Sequence, residues 1–341
     1  MKDKIRLTTL TTSAGCAAKL KATELIKVLS TLPKTECKEL EVGYDGAEDA
    51  LVYNLDDKTC LLSTVDFFPP MVDDPYTFGE IAAANAISDI YAMGGEPIYA
   101  LSLMCFPQKL PKTILKDILE GGIAKAKEAG IPIAGGHTID DPVVKYGLAV
   151  TGKAKRGKIW RNKGVKLGDA IVLTKPLGVG IINTAAKCNE ASKDAIKKAV
   201  KSMKTLNKKA AKLGQKYEVS AATDVTGFGL FGHLMEMMEG SPYTALINHK
   251  NVPIIDEAYE YSGYGILPGG LYNNKEYTDG KVIIKDGLDS ALVDVMYDPQ
   301  TSGGLLLSLS RKDAEEYVSK LDGAVIIGEI VDGKNTPIYL E

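Results

Sequence analysis

The sequence predicts a mixed α/β fold in two domains, and three observations carry that reading. Short apolar runs that suit strands alternate with longer amphipathic stretches that suit helices along the whole chain. The 341 residues exceed the roughly 100–200 of one domain. A basic, glycine-containing connector, KAKRGKIWRNKGVKLGD, interrupts the alternation and sets a boundary near residue 156. The expected division is a mobile, small-residue arm over 1–40, a first domain over 41–155 and a second over 156–341.

The elements follow in order. The arm holds one short helix around ATELIKVLSTL. ALVYNL and CLLSTV flank DDKT, a hairpin signal. TFGEIAAANAISDIYAM reads as a helix stopped by Gly94–Gly95. EPIYALSLMCF reads as a buried strand. PKTILKDILEGGIAKAKEAG is an amphipathic helix opened by Pro111 and weakened at Gly121–Gly122. IPIAGG and YGLAVTGKA close the first domain as strands. In the second, AIVLTKPLG is a strand and turn. ASKDAIKKAVKSMKTLNKKAAKLGQK reads as one long helix with Ile196, Val200, Met203 and Leu206 on its buried stripe. VSAATD, a glycine loop and LFGHLMEMME give strand, loop and helix. KVIIK, GGLLLSLS and GAVIIGEIV are further strands, and RKDAEEYVSKL is a helix.

Composition excludes several classes. Net charge is -3, so the chain lacks the basic face of a nucleic-acid binder. Five cysteines, never paired as CxxC, make neither a disulfide framework nor a thiolate zinc site, and a reducing cytoplasm is expected. MKDKIRLTTL lacks the apolar run of a signal peptide, and no stretch approaches a membrane span.

Aspartates at element ends carry the chemistry. Centring the hairpin between Asp57 and Lys58 pairs Asp49 with Asp66 across the strands, with Cβ atoms about 4.5–5.5 Å apart. Two like charges so placed need a proton or a cation; the bland alternative is a solvated pair in another register. Asp89 falls in the last turn of its helix, where the helix dipole disfavours a carboxylate and a cation would reverse the sign. Asn85 lies one turn earlier on the same face. Asp224 ends a strand before a glycine loop, the geometry that aims backbone N–H groups at phosphate. Hard oxygen donors without a His/Cys cluster suit Mg²⁺ with ATP. No Walker A loop is present.

Other motifs are ambiguous. Gly227 to Gly232 match GxGxxG, but no acidic residue follows at the ribose-binding distance, so a dinucleotide site is disfavoured. AGGHTID places Gly136, His137 and Thr138 at a Gly-Gly turn that suits a phosphate or ribose as well as a plain loop. His233 and His249 read as structural. DPQTSGG reads either as a ligand-lining turn or as a tight turn into the next strand. In TTSAGCAAKL, Lys19 lies three residues after Cys16 and lowers the thiol pKa, which favours the nucleophilic thiolate; an incidental loop cysteine is the alternative.

SAGCAAK, GAEDALVY, STVDFF, NAISDIYAMGG, AGGHTID, ATDVTGFGLFGHL and DPQTSGGLL, in this order, closely resemble the selenophosphate synthetase (selenide, water dikinase) family. The aspartate and glycine motifs are shared with the wider aminoimidazole ribonucleotide synthetase-like superfamily. The resemblance implies that ATP, selenide and water give selenophosphate, AMP and phosphate. It implies Cys16 as the catalytic position, selenocysteine in some members, and Lys19 as a lysine at the phosphates. It makes Asp49, Asp66, Asp89 and Asp224 the Mg²⁺ ligands, with Asp66 and Asp89 also touching nucleotide. Gly46, Ala47 and Glu48 would lie along the nucleotide. Gly136, His137 and Thr138 would reach ATP from the partner subunit of a homodimer. The implied fold is an N-terminal domain whose strands join the partner's in a shared β-barrel, plus a C-terminal α/β domain; a selenium-delivery protein is a conceivable partner. Ala18 stands where many relatives carry a second cysteine, so no redox pair is expected. A sister small-molecule kinase and a non-catalytic nucleotide-binding paralogue are the alternatives.

Overall fold

The computed structural model describes residues 5–11, 14–18, 22–33, 37–43, 48–333 and 336–341. Two 3₁₀ turns, Leu7–Leu10 and Gly15–Ala18, precede α1 (Ala22–Leu29). The first half then runs β1 (Leu40–Val42), β2 (Leu51–Asn54), β3 (Thr59–Phe68), α2 (Pro75–Ala92), β4 (Glu96–Cys105), α3 (Lys112–Ala129), β5 (Ile133–Ile139) and β6 (Lys145–Lys155). Its strands form one six-stranded sheet in the order β1-β2-β3-β6-β4-β5. Only β4 and β5 are parallel among these neighbours, because α3 makes the crossover a parallel pair requires.

The hairpin register differs from the expected one. Leu51 faces Ser63 and Val52 faces Leu62, one residue away from a direct Asp49–Asp66 pair. The cause is Asp56, whose Oδ1 accepts from the backbone N–H of Lys58 at 2.7 Å and of Thr59 at 2.8 Å. That side-chain turn moves the loop centre by half a residue. A one-residue slip exchanges the faces of a strand, so Asp66 meets Asn85 and α2 instead of Asp49.

Helix α2 is the central element. Asp74 caps it by accepting from Thr77 N at 2.8 Å, Pro75 opens it, and it ends at Ala92 before the glycine pair. Nearly all of its residues from Phe78 to Ala92 are buried, as expected for a helix apolar all round. It packs on α3 through two glycines: a Cβ on Gly79 would lie 2.0 Å from Ile118 O, and one on Gly121 would lie 2.0 Å from Tyr76 O. The glycines that read as weak points of α3 are therefore its contact surface. The opposite face of the sheet leaves Val65 and Phe67 (β3), Tyr99 and Leu101 (β4) and Ile139 (β5) exposed.

The second half contains β7 (Asp169–Leu173), α4 (Val179–Lys187), α5 (Lys193–Lys204), α6 (Lys208–Gly214), β8 (Val219–Asp224), α7 (Gly229–Met237), β9 (Thr244–Ile247), α8 (Asp256–Gly263), α9 (Gly269–Tyr277), β10 (Val282–Ile284), α10 (Ser290–Tyr297), β11 (Leu305–Ser310), α11 (Arg311–Lys320), β12 (Val325–Val331) and β13 (Ile338–Leu340). The seven-stranded order is β10-β13-β9-β12-β7-β11-β8. β7 is buried along its whole length and β11 along all but its last residue, the run expected of strands covered on both faces. The long lysine-rich helix is two helices, α5 and α6. Thr205 turns extended, and Asn207 leaves the helical path to bond across the domain junction. No helix among the described residues is long and apolar enough to cross a membrane.

Candidate active site

The two halves meet along one side of α2, and the acidic residues gather there. Asp66 sits on the inner face of β3 and accepts from Asn85 Nδ2 at 2.6 Å. Asp89, in the last turn of α2, accepts from Thr64 Oγ1 at 2.5 Å. Asp224, at the end of β8, accepts from Ser88 Oγ at 2.5 Å, and Asn207 Nδ2 donates to that hydroxyl at 2.8 Å. Asp49, just before β2, accepts from Thr223 Oγ1 at 3.1 Å.

Asp49 is the electrostatic focus. Burial pushes its carboxyl well above the usual range, and the charges of Asp224, Asp89 and Glu236 push it further. Its second oxygen is enclosed and has no hydrogen-bond partner among the described residues. Glu236 lies beside His233, whose Nδ1 makes no hydrogen bond among the described residues. The backbone N–H of Thr226 donates to His233 Nε2 at 3.1 Å, so the ring proton resides on Nδ1, 3.2 Å from Glu236 Oε2. An enclosed carboxylate oxygen ringed by acids requires a proton or a cation. Oxygen donors suit Mg²⁺, which binds through one or two carboxylates and completes its shell with water and phosphate. Among the described residues no three His, Cys, Asp or Glu side chains form a closed ligand set, so a cation at Asp49 would draw on those outside ligands.

Cys16 is not a bare thiol. Its 3₁₀ turn is folded into the junction, and the residue is buried. Its thiol donates to Asn85 Oδ1 at 3.3 Å and its N–H to Thr301 Oγ1 at 3.3 Å. Gly227 packs on its carbonyl oxygen, where a Cβ would come to 2.9 Å. The GxGxxG segment is thus filled by the cysteine turn on one side. On the other, Asn274 Nδ2 donates to Gly227 O at 3.0 Å. Asn85 joins the cysteine to Asp66, since its amide serves both.

The DPQTSGG segment is the other wall. Asp298 Oδ2 accepts from Gly180 N at 2.9 Å and from Gln300 Nε2 at 2.8 Å, and burial pushes its pKa to about 7. Ser302 N donates to Asn85 Oδ1 at 2.7 Å. Lys175 Nζ, buried, donates to Ser302 O at 2.7 Å and Thr205 O at 2.6 Å. Burial lowers the Lys175 pKa to about 7, with the Asp224 charge opposing.

The structure brings together Asp49, Asp66, Asp89, Asp224 and Cys16. Lys19, Gly46 and Ala47 lie outside the described residues. Glu48 lies beside Asp49, and its carboxylate accepts from the connector's Asn162 N at 3.0 Å. Gly136, His137 and Thr138 are not at this cluster within the chain. They lie inside edge strand β5 and not in a turn after it, with their side chains exposed. Gly136 is required there because a Cβ would lie 2.1 Å from Ser102 O. Ser88, Asn207, Thr223 and Lys175 were not singled out from the sequence, and Ser302 entered only as part of the DPQTSGG turn. Ser88 had a signal, as a polar residue beside Asp89 and near Asn85 on a largely apolar helix; Asn207, among lysines, had none.

Two α/β halves closing over a carboxylate-lined junction define a protein of the AIR synthase-related class. Residues 47–154 match the model of the AIR synthase related protein N-terminal domain, and residues 166–341 match that of its C-terminal domain. Within that class, the chain belongs to the selenide, water dikinase family. It is 51% identical over 345 residues to selenide, water dikinase of Clostridium botulinum (strain Alaska E43 / Type E3), covering 100% of both chains. The enzyme of the same name from Myxococcus xanthus (strain DK1622) is 47% identical over 97% of this chain and 96% of its own. The solved structure of thiamine monophosphate kinase from Aquifex aeolicus is similar in fold, with TM-score 0.67 and 17% identity over 95% of this chain and 98% of that one.

Proposed function

We propose that the acidic junction holds the triphosphate of ATP for transfer of its γ-phosphoryl group to selenide, with selenophosphate, AMP and phosphate as products. The chain is an ATP-dependent phosphotransferase of the selenide, water dikinase family, as its full-length identity to those enzymes requires. The observation that carries the site assignment is the enclosed, partnerless oxygen of Asp49 within a ring of acids.

Asp49, Asp66, Asp89 and Asp224 are the residues that would hold Mg²⁺, and Asp66 and Asp89 also face the nucleotide. Bound magnesium supplies charge neutralisation of the triphosphate. The chain's own groups do the positioning. Asn85 sets the Cys16 thiol against Asp66, and Ser88 and Asn207 fix Asp224. Cys16 and Lys19 act at the γ-phosphate from an N-terminal arm (residues 1–40), which is followed by an ATP-binding domain (41–155) and a C-terminal domain (156–341). Gly46, Ala47 and Glu48 run along the nucleotide. Selenide is already ionised near neutral pH, so the site needs no strong base.

The exposed apolar face of the first sheet supports a homodimer, because contiguous exposed apolar surface marks an interaction site. A partner copy closing this sheet into a barrel brings its Gly136, His137 and Thr138 to the nucleotide. All five cysteines are free, in keeping with a reducing compartment such as the cytoplasm.

Phosphorus-31 NMR of ATP turnover with and without selenide tests this reading. Selenide-dependent formation of selenophosphate, AMP and phosphate is expected. Turnover that stops at ADP regardless of selenide would instead support a sister kinase.

A further inference from the structure

We infer that Ser302 is a further catalytic residue, its hydroxyl forming with Cys16 a subsite for the selenium nucleophile, a small, soft hydroselenide anion. This rests on the selenide reading above.

Two independent features of Ser302 point to a ligand. Its backbone is left-handed, with φ 49, one of two non-glycine residues with positive φ among the described residues. Its side chain is 1% exposed, yet Oγ has no hydrogen-bond partner among the described residues. A left-handed backbone is strained for a residue that carries a side chain. A buried hydroxyl left unpaired has also lost its hydration without a replacement. Gly303 and Gly304 follow directly, so a glycine at this position would have avoided both. A hydroxyl held there against two penalties is expected to meet a group that arrives with substrate.

The position fits that role. Ser302 N donates to the same Asn85 Oδ1 that accepts the Cys16 thiol, so the serine and the reactive sulfur are set by one atom. Lys175 holds the Ser302 carbonyl on the other side, and Asn207 Nδ2 holds Gly303 O at 2.8 Å. The residue therefore cannot turn away without breaking contacts to both domains. A serine hydroxyl offers one donor, and a selenium anion is an acceptor without directional demands. Lys175 makes no carboxylate contact among the described residues, so an anion bound beside this loop favours its ammonium form. In the transfer the Se–P bond forms, the bond from phosphorus to the β,γ-bridging oxygen breaks, and its electron pair stays on the ADP oxygen. The Ser302 O–H is neither consumed nor ionised; it orients the nucleophile.

The test is steady-state selenophosphate formation by full-length Ser302→Gly and Ser302→Ala at varied selenide and varied ATP. Glycine keeps the left-handed backbone, so its effect reports the hydroxyl alone; alanine keeps the strain. A lost hydrogen bond to a charged group is worth about 1.5–3 kcal/mol, so the KM for selenide is expected to rise about 10- to 100-fold. The KM for ATP should stay within about twofold and the melting midpoint of the glycine variant should not fall. Unchanged selenide kinetics, or a rise confined to the KM for ATP, would overturn the subsite while leaving the dikinase reading intact. Wild-type enzyme that makes no selenophosphate would overturn that reading and the subsite with it.

Discussion

At the scale of single residues, Cys16 and Lys175 have opposite tasks. Cys16 is held by Asn85 and Thr301 but contributes little to the fold that serine could not replace. Cys16→Ser should therefore abolish selenide-dependent AMP formation, by at least about 100-fold in kcat, while nucleotide binding measured by calorimetry stays near wild type. Normal turnover in that variant would remove the thiol from the mechanism. Lys175 gives a pH signature. Its pKa falls from 10.5 to about 7 on folding, so between these values the unfolded chain binds the extra proton and stability rises with pH. Below pH 7 both states are protonated and the slope vanishes. Urea unfolding at pH 7 and pH 9 should show Lys175→Met losing about 1–3 kcal/mol of that rise relative to wild type. Identical pH dependence in the two proteins would show that the amine is not desolvated. Lys175 was not legible in the sequence, and Ser302 only as part of a turn that could line a ligand, since the meaning of each depends on what folds against it. Asp89 and Asp224 stood out in the sequence as carboxylates at element ends, whereas Asp49 and Asp66 were singled out by a direct pairing that the hairpin register does not make.

Among the elements, α2 decides the site, since it supplies Asn85, Ser88 and Asp89 within one turn and a quarter. Its seat on α3 depends on Gly79 and Gly121. Gly121→Ala would drive a methyl into Tyr76 O, 2.0 Å from the ideal Cβ position, and should destabilise by about 1–3 kcal/mol, read as a lower urea midpoint with an unchanged slope. A neutral or stabilising effect, as helix propensity alone predicts, would contradict the close backbone packing. The C-terminal end of α2 could be read from the sequence because the Gly94–Gly95 pair acts locally, whereas its start at Pro75 lies two residues before the expected one. The α5–α6 break could not, because lysine-rich residues 191–216 carry a continuous helical pattern. What interrupts it is tertiary: Lys175 takes Thr205 O, and Asn207 reaches Ser88 and Gly303. The hairpin slip has a local cause in Asp56, a turn former whose position relative to the loop centre the apolar pattern alone did not fix.

For the molecule as a whole, the two sheets are separate, and the proposed catalytic groups lie at the junction of the two halves. The two-domain architecture was readable from the alternation of strands and helices, whereas the docking of the cysteine turn between the halves depends on contacts hundreds of residues apart, such as Cys16 with Thr301. The uncovered face of the first sheet makes the dimer a prediction at this scale. Phe67→Glu combined with Leu101→Glu changes two residues already exposed in one chain. It should leave the monomer folded but shift sedimentation from dimer to monomer and weaken ATP binding, to which the proposed assembly brings a second copy's β5. A wild-type chain that sediments as a monomer would contradict that assembly. The central claim is that carboxylates from both halves grip a magnesium-bound triphosphate. Isothermal titration of a non-hydrolysable ATP analogue, with and without Mg²⁺, into wild type, Asp49→Asn and Asp224→Asn measures it most directly. The account predicts magnesium-dependent binding that each variant weakens at least about tenfold, a loss of about 1.4 kcal/mol; equal affinity in all three proteins, or binding indifferent to magnesium, would contradict it.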